Sequence, residues 1–458
     1  MPVLITPSVS TGAAMVSADG LTINDSLGTA IGNASLLINN DSNNSATVTN
    51  NGTRLGAINN TGPAAAVVNC ATGTWTGDLL SNTGGATVSN FGTWNGDANN
   101  ASIVVNSGIW NTRATGFTNS GTLTTTGTLN VTAGGLTNTG TVNAQGLISG
   151  NIANLGPGTF TVTGPLSAGS GNFSNGNGAV LNVGANTFND IGTLTNSAGG
   201  IVNIAGGTIG AITTVNAGTI NVTGLSTING ALTNSGLINL QNNVAGDRLT
   251  ITGNYVGLPG SRIALDATDQ IVIGGSATGS TTLNVAGLAP GNLFTIGPNL
   301  VVVQGATSPN AFTLGNVLNF GTSSVVLVSQ ATATGVTFAT ATVASVAGLS
   351  GAVATSAVQT TSFVSNGVAF DRMADLRNSF HRDPSQGPTF AATAYAQEFA
   401  KNDPISPYVR AEAAAPPASV GGPKPAVWIR GYGDYEQRDG QASFSFAGSN
   451  FISNLGYR

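Results

Sequence analysis

Short apolar runs of three to five residues, cut every few positions by Asn and Gly, fill the first half of the chain. Residues 106–146 show this best, and positions 119–140 read NSGTLTTTGTLNVTAGGLTNTG. Thr, Leu, Val and Ile suit a pleated, half-buried surface, whereas Gly, Asn and Asp supply the left-handed backbone that sharp corners need. Strands are predicted at 102–105, 128–132, 159–163 and 219–223. Hairpins would call for longer paired strands and primed turns. Brief strands with a corner after each predict a coil wound about an axis.

The glycines set its period. Gly32, Gly52, Gly73, Gly92, Gly108, Gly127, Gly146, Gly164, Gly184, Gly206 and Gly224 recur every 16–22 residues, about 19 on average. A second series, Gly121, Gly140, Gly158, Gly178, Gly199, Gly218 and Gly236, keeps nearly the same period half a step out of phase. A fixed period of this size marks a solenoid, and several short strands per repeat predict an all-β, right-handed parallel β-helix over residues 1–245. With turns spaced about 4.8 Å apart, the eleven glycines of the first series span a rod on the order of 50 Å. Asn82, Asn90, Asn106, Asn119, Asn138, Asn216 and Asn234 each stand two residues before a glycine. Two readings of that placement stand side by side. The amides bond to one another up the axis as ladders, or Asn simply tolerates the corner conformation.

From about Gly246 longer strands are predicted, with GDRLTITGNYVG (246–257), SRIALDATDQIVIGGSATGSTTLNVAG (261–287), the run Val301-Val302-Val303 and NAFTLGN (310–316). This order of segments resembles the last rungs and folding-assisting cap of autotransporter passengers, the type V self-secreted proteins of Gram-negative bacteria, and assigns 246–345 to such a cap. Such caps usually close on an aromatic strand; here Val325, Val326 and Leu327 stand alone. Residues 350–382 read as an α-helix with Phe363, Phe370, Met373, Leu376 and Phe380 on one face, either a surface amphipathic helix or, since AFDRMADLR (369–377) resembles it, the helix that threads an autotransporter barrel. A Pro-rich linker occupies 383–425. At 426–458 AVWIRGYGDYEQRD and the alternating Ser443-Phe444-Ser445-Phe446 resemble the first strands of an outer-membrane β-barrel, too few to close one, so a truncated translocator is expected.

Composition narrows the function. Charged residues make up only 7% of 458, against a typical quarter, and the net charge is −5 with no Lys before Lys401. Nucleic acid is therefore not an expected partner. A single cysteine, Cys70, excludes an internal disulfide framework and reads as a small buried hydrophobe rather than a reactive thiol. The N-terminal MPVLITPSVS lacks a leader's basic segment and sustained apolar core, and no run reaches the 18 or so apolar residues of a spanning helix.

Candidate chemistry is sparse. The only histidine, His381, follows the predicted helix, so a Ser-His-Asp triad or a His-based zinc site within the repeats is excluded by inventory; Asn24-Asp25-Ser26-Leu27-Gly28 lacks the context of an esterase serine block. Calcium-binding nonapeptides and P-loops are absent, and no metal or cofactor is expected. Among Asp19, Asp25, Asp41, Asp78, Asp97 and Asp190, the 19-residue gap between Asp78 and Asp97 matches one turn. That fits a glycosidase carboxylate pair or plain corner aspartates. The pairs Thr122/Thr124, Thr161/Thr163 and Thr193/Thr195 do not keep the register an ice-binding face needs. Trp75, Trp94 and Trp110, at gaps of 19 and 16, form either an internal indole stack, with Phe117 near it, or an exposed ligand-binding strip.

The resemblance implies self-secretion through an outer-membrane barrel, leaving the protein at the outer membrane or cell surface, or secreted. The expected function is a non-enzymatic adhesin or aggregation rod whose partner is a host or neighbouring cell surface or a glycan. A polysaccharide-cleaving β-helix and a purely structural stalk are the alternatives.

Overall fold

The computed structural model describes residues 14–16, 22–24, 30–31, 37–40, 47–289, 293, 295–308, 310–315, 318–319, 323–344, 373, 442–445 and 452–455. The chain divides into two units, Met1–Gly348 and Leu349–Arg458.

The first unit is a parallel β-solenoid with three strands per turn. One turn consists of Thr87–Asn90, Thr93–Asn95 and Ala98–Asn100; the next, of Ile103–Asn106, Ile109–Asn111 and Phe117–Asn119, lies on it in register. Thr87 pairs with Ile103, Trp94 with Trp110 and Ala98 with Phe117, all parallel. The three positions in a turn build three sheets, called here first, second and third in chain order. Alternation of apolar and polar residues decides what turns inward. In the first sheet Val48, Val67, Val88, Val104, Leu123, Val142, Phe160, Leu181, Val202, Ile220, Ile238, Ile263 and Leu283 form one unbroken inward column. None is more than 1% exposed. Burying each such side chain contributes about 1.5–3 kcal/mol, and each gains its cover from the turns above and below.

The corners carry polar residues inward too. Asn40, Asn60, Asn82, Asn100, Asn119, Asn138, Asn154, Asn175, Asn196, Asn216 and Asn234 end successive strands of the third sheet, fully buried. Each Nδ2 donates to the Oδ1 of the Asn one turn up, at 2.6–2.9 Å. Each of these amides also reaches a main-chain carbonyl across the corner, as Asn100 does to Thr122 O at 3.1 Å and Asn119 to Thr141 O at 3.0 Å. The ladder ends where Asn234 donates to Ser261 Oγ at 2.7 Å, within a buried hydroxyl cluster of Ser261, Tyr255 and Thr281. Of the two readings of the recurrent Asn, stacked amides are what the structure contains. A second ladder, Asn50, Asn69, Asn90 and Asn106, runs at the corner between the first and second sheets and finishes on Thr125 Oγ1.

That second ladder stops for a reason. One turn above Thr125 stands Ala144, inside the nine-residue strand Thr141–Ser149, which runs from the first sheet into the second without a break. Ala144 and, above it, Val162 carry no side-chain amide or hydroxyl to continue the ladder. Above Asn138 the expected strands of three to five residues, such as Ile152–Asn154, Val180–Gly184 and Thr219–Thr223, alternate with longer ones. Thr159–Ser167, Thr187–Asn196, Thr208–Asn216 and Leu225–Asn234 have nine or ten residues each. Gly146 (φ 86°) and Gly230 (φ 138°) allow such strands to bend where a side chain would be strained. Long strands therefore begin at Thr141, well before Gly246. The glycine ruler itself reflects close backbone approach: a Cβ on Gly92, Gly108 or Gly127 would strike the carbonyl oxygen of the series member one turn below.

At the upper end Ile296–Val303 pairs parallel with Gln270–Ile273 and antiparallel with Val336–Ala344, which pairs antiparallel with Ser323–Ala331. This switch occupies a sheet edge that would otherwise template further pairing. On the strand after Val325–Leu327, Phe338 meets Phe312 edge-on at 5.0 Å, and Phe312 stacks on Tyr255 at 5.8 Å. In the second unit Ala442–Ser445 pairs antiparallel with Ile452–Leu455. Apart from Met373, which is helical, the predicted helix lies outside the described residues, as do the linker and the strand predicted around Trp428.

Asn119→Ala removes one link: Asn100 Nδ2 loses its Oδ1 acceptor and keeps only main-chain carbonyls, while Asn138 Oδ1 and Thr141 O lose a donor. It should cost about 1–3 kcal/mol or more. Asn99→Ala, on the outer face of the neighbouring strand, should stay within about 0.5 kcal/mol. Urea midpoints of the two variants compare them directly.

Candidate ligand-binding edge

Trp75, Trp94 and Trp110 turn inward in the second sheet and have no exposed surface. Their rings stack at centroid distances of 4.6 Å, with interplanar angles of 2° and 8°, and Phe117 meets Trp110 edge-on at 5.2 Å. Each indole Nε1 donates to a glycine carbonyl near 2.9–3.0 Å: Trp75 to Gly56, Trp94 to Gly77 and Trp110 to Gly96. This is the internal stack, not the exposed strip, because the alternation that buries Val88 in the first sheet buries Trp94 in the second. Arg54 closes the lower end of the stack. It is 2% exposed, pairs in register with Trp75 and lies 5.3 Å from that ring's centroid, a buried cation–π contact. The sequence shows the signal in Gly52-Thr53-Arg54, Gly73-Thr74-Trp75 and Gly92-Thr93-Trp94, which place Arg54 one period before the first tryptophan.

Charge gathers at the corner between the second and third sheets. Asp78 and Asp97 do stack there, with Asp97 N–H donating to Asp78 Oδ1 at 2.9 Å and Arg113 Nη2 pairing with the same oxygen at 3.0 Å. The Asp97 carboxylate is held in the loop above it, accepting from the main-chain N–H groups of Arg113, Ala114, Thr115 and Gly116 at 2.7–3.2 Å. Burial alone pushes this carboxyl up, and the four amide donors outweigh it, bringing the pKa down to about 2. So low a value makes Asp97 an acceptor and a poor general acid. Asp190, farther up the edge, accepts from Ser167 Oγ at 2.7 Å. Asp19, Asp25, Asp41 and His381 lie outside the described residues.

Above the charged corner the same edge opens into a shallow groove of about 480 Å³. Its floor is the outer face of the third sheet, where Thr137, Ala153, Ser174 and Thr195 stand in register. Its wall is the row of corners at Gly134, Gly135, Asn151, Asn172 and Thr193. No charged residue lines it. Thr193 and Thr195 thus belong to this groove, while Thr124 and Thr161 lie two turns apart in the first sheet, so the three threonine pairs form no common array. Sequence reasoning missed the groove, although Asn151, Asn172 and Thr193 keep an even 21-residue spacing.

A third polar cluster lies near the cap. Asp269 Oδ1 and Oδ2 accept from the Asp247 and Asp266 N–H groups at 3.0 and 2.9 Å, and Asp247 Oδ1 accepts from Gly224 N–H at 2.7 Å. Burial pushes the Asp269 carboxyl up, and the neighbouring Asp247 and Asp266 charges add to that against its hydrogen bonds. These carboxylates tie turns together. Among the described residues no three His, Cys, Asp or Glu side chains are placed to hold a metal ion. Cys70 is a free thiol of intermediate exposure, less buried than its sequence context suggests.

No family model matches the chain. Over 112 residues, 22% of this chain, it is 40% identical to the probable autotransporter YfaL of Escherichia coli (strain K12). The matched part is 8% of that protein, so the chain spans a small fraction of its relative's length. The match and the solenoid together fit an autotransporter passenger.

Trp94→Ala should destabilise the solenoid by about 3–5 kcal/mol, read as a lower urea midpoint; a ligand strip would instead lose binding and keep stability. Because the folded pKa of Asp97 is depressed, its ionised form stabilises the 112–116 loop above the ordinary carboxylate value of 3.8. That contribution is lost as the pH falls from there through about 2. Hydrogen exchange at the amides of 113–116 should stay slow at pH 4 and accelerate toward pH 2, beyond the intrinsic pH effect, and Asp97→Asn should abolish this extra pH dependence.

Proposed function

We propose that the chain is a secreted passenger rod that acts at the outer-membrane surface as a non-enzymatic adhesin or aggregation factor, with a host surface, a neighbouring cell or a glycan as its partner. The coarse part of this reading, a secreted passenger, rests on the parallel solenoid and on the match to a probable autotransporter. Self-secretion and anchoring through a C-terminal barrel follow from the resemblance of residues 426–458 to a translocator's first strands.

The adhesive reading is carried by one observation: the groove beside Asn151 and Asn172 offers neutral polar side chains with no acid or base among them. Binding needs such a surface, whereas hydrolysis of a glycosidic bond needs a carboxyl poised to give up a proton. The competing reading, a polysaccharide-cleaving enzyme, draws on the adjacency of Asp78 and Asp97; the Asp97 carboxylate, taken up by four main-chain N–H groups, does not suit the role of proton donor. A structural stalk would need the core alone and would leave the groove without use.

Display of the chain on cells that do not otherwise clump decides among the three. Adhesion or aggregation by displaying cells, with no release of soluble sugar from polysaccharides, is the expected result. Polysaccharide cleavage that disappears in Asp78→Asn or Asp97→Asn would replace the adhesin by the enzyme. Cells that neither adhere nor cleave would leave the stalk.

A further inference from the structure

We infer that the groove on the third sheet binds an uncharged oligosaccharide, laid along the rod axis across the turns that carry Asn151, Asn172 and Thr193. This deepens the adhesin reading and rests on it. Asn151 Oδ1 accepts from Asn172 N–H at 3.0 Å, and Asn172 Oδ1 accepts from Thr193 N–H at 2.9 Å. Each carbonyl is thus held by the main chain one turn up, which restrains the amide and leaves its Nδ2 to donate elsewhere. Among the described residues those two Nδ2 groups make no hydrogen bond, nor do the hydroxyls of Thr137, Ser174 and Thr195. The groove therefore holds oriented donors and hydroxyls, with Thr methyls and Ala153 between them. Groups preorganised by the scaffold lose little freedom on binding.

The class of ligand follows by comparing what each would need. An anion or a cation would need a complementary charge, and the lining has none. Arg113 and Asp190, farther along the edge, are engaged by Asp78 and Ser167. A peptide added as a β-strand would need an open sheet edge. The strands of the floor, Leu136–Asn138, Ile152–Asn154 and Phe173–Asn175, are instead stacked on one another in an unbroken ladder and offer only side chains. A lipid or an apolar helix would need a continuous apolar patch, and hydroxyls and amides interrupt the floor at each turn. A neutral sugar chain meets every condition, because its hydroxyls both donate and accept while its C–H faces rest on methyl groups. Turns spaced about 4.8 Å apart also repeat the donors at roughly the length of one sugar unit in an extended glycan.

Isothermal titration of the whole chain with uncharged glucan, mannan and galactan hexasaccharides, and with heparin as the anionic counterpart, tests this. Asn172→Asp keeps the acceptor for Thr193 N–H but replaces the Nδ2 donor, and Ala153→Tyr fills the floor. Binding of at least one neutral hexasaccharide, insensitive to salt and weakened at least about tenfold in both variants at unchanged melting temperature, is the expected result. Binding of heparin alone, binding of no hexasaccharide, or neutral binding that survives both variants would overturn it. Adhesion by displaying cells that persists in both variants would overturn the groove and keep the adhesin, whereas a wild-type chain that does not adhere would remove the adhesin reading itself.

Discussion

Register between successive turns is the constraint on which this molecule depends. A three-stranded turn of about twenty residues has no core of its own, and its apolar side chains are covered only when the next turn sets its own directly above them. A slip of one residue would turn Leu123 or Val142 out to solvent and bring Thr or Asn in. The buried asparagines hold that register. Asn40 through Asn234 hand one amide bond to the next in a single direction, and each also satisfies a carbonyl at the corner it crosses. Buried amides with any one link missing would be costly, and the unbroken run of links from Asn40 Nδ2 to Asn234 makes them an asset; among the described residues only the Oδ1 of Asn40, at the foot of the run, is without a donor.

Such a scaffold explains the composition. Solubility comes from outward Thr, Ser and Asn, leaving charge to a few corners, and those charges serve structure where they occur. Asp97 organises the loop above it, Asp247, Asp266 and Asp269 stitch together the turns around residues 224–269, and Arg54 closes the indole column. Aromatic residues fill parts of the interior, as the three tryptophans do low in the solenoid and Phe160, Phe173 and Phe188 do higher up, at 5.1–5.9 Å from one another. With the interior so occupied, a ligand would meet the outer faces and corners, which connects the neutral groove to the proposed role in adhesion.

Much of this was legible in residue order because a solenoid writes its period into the chain. Gly92, Gly108 and Gly127 mark places where one turn's backbone presses on the next, and the recurrent Asn marked the ladder. Direction of burial was harder to read. Trp75, Trp94 and Trp110 recur as a surface strip would, and only the pairing with Arg54 below and Leu129 above places them inside. The fusion of strands from Thr141 upward left no trace in apolar content, since it turns on single bend positions such as Gly146, Asp190 and Gly230. The groove was hidden for a related reason: its parts belong to different turns, and only stacking brings Thr137, Ser174 and Thr195 onto one floor.

In-register parallel stacking is the central claim, and distances between spin labels on outward positions of the first sheet test it most directly. Ser89, Val105, Thr124, Asn143, Thr161, Asn182 and Asn203 follow one another turn by turn. Labels at Ser89 and Thr161 should lie about 19 Å apart and labels at Ser89 and Asn203 about 29 Å, rising by about 4.8 Å per turn. Broad distributions, or separations that do not increase in proportion to the number of turns, would contradict the solenoid and everything built on it.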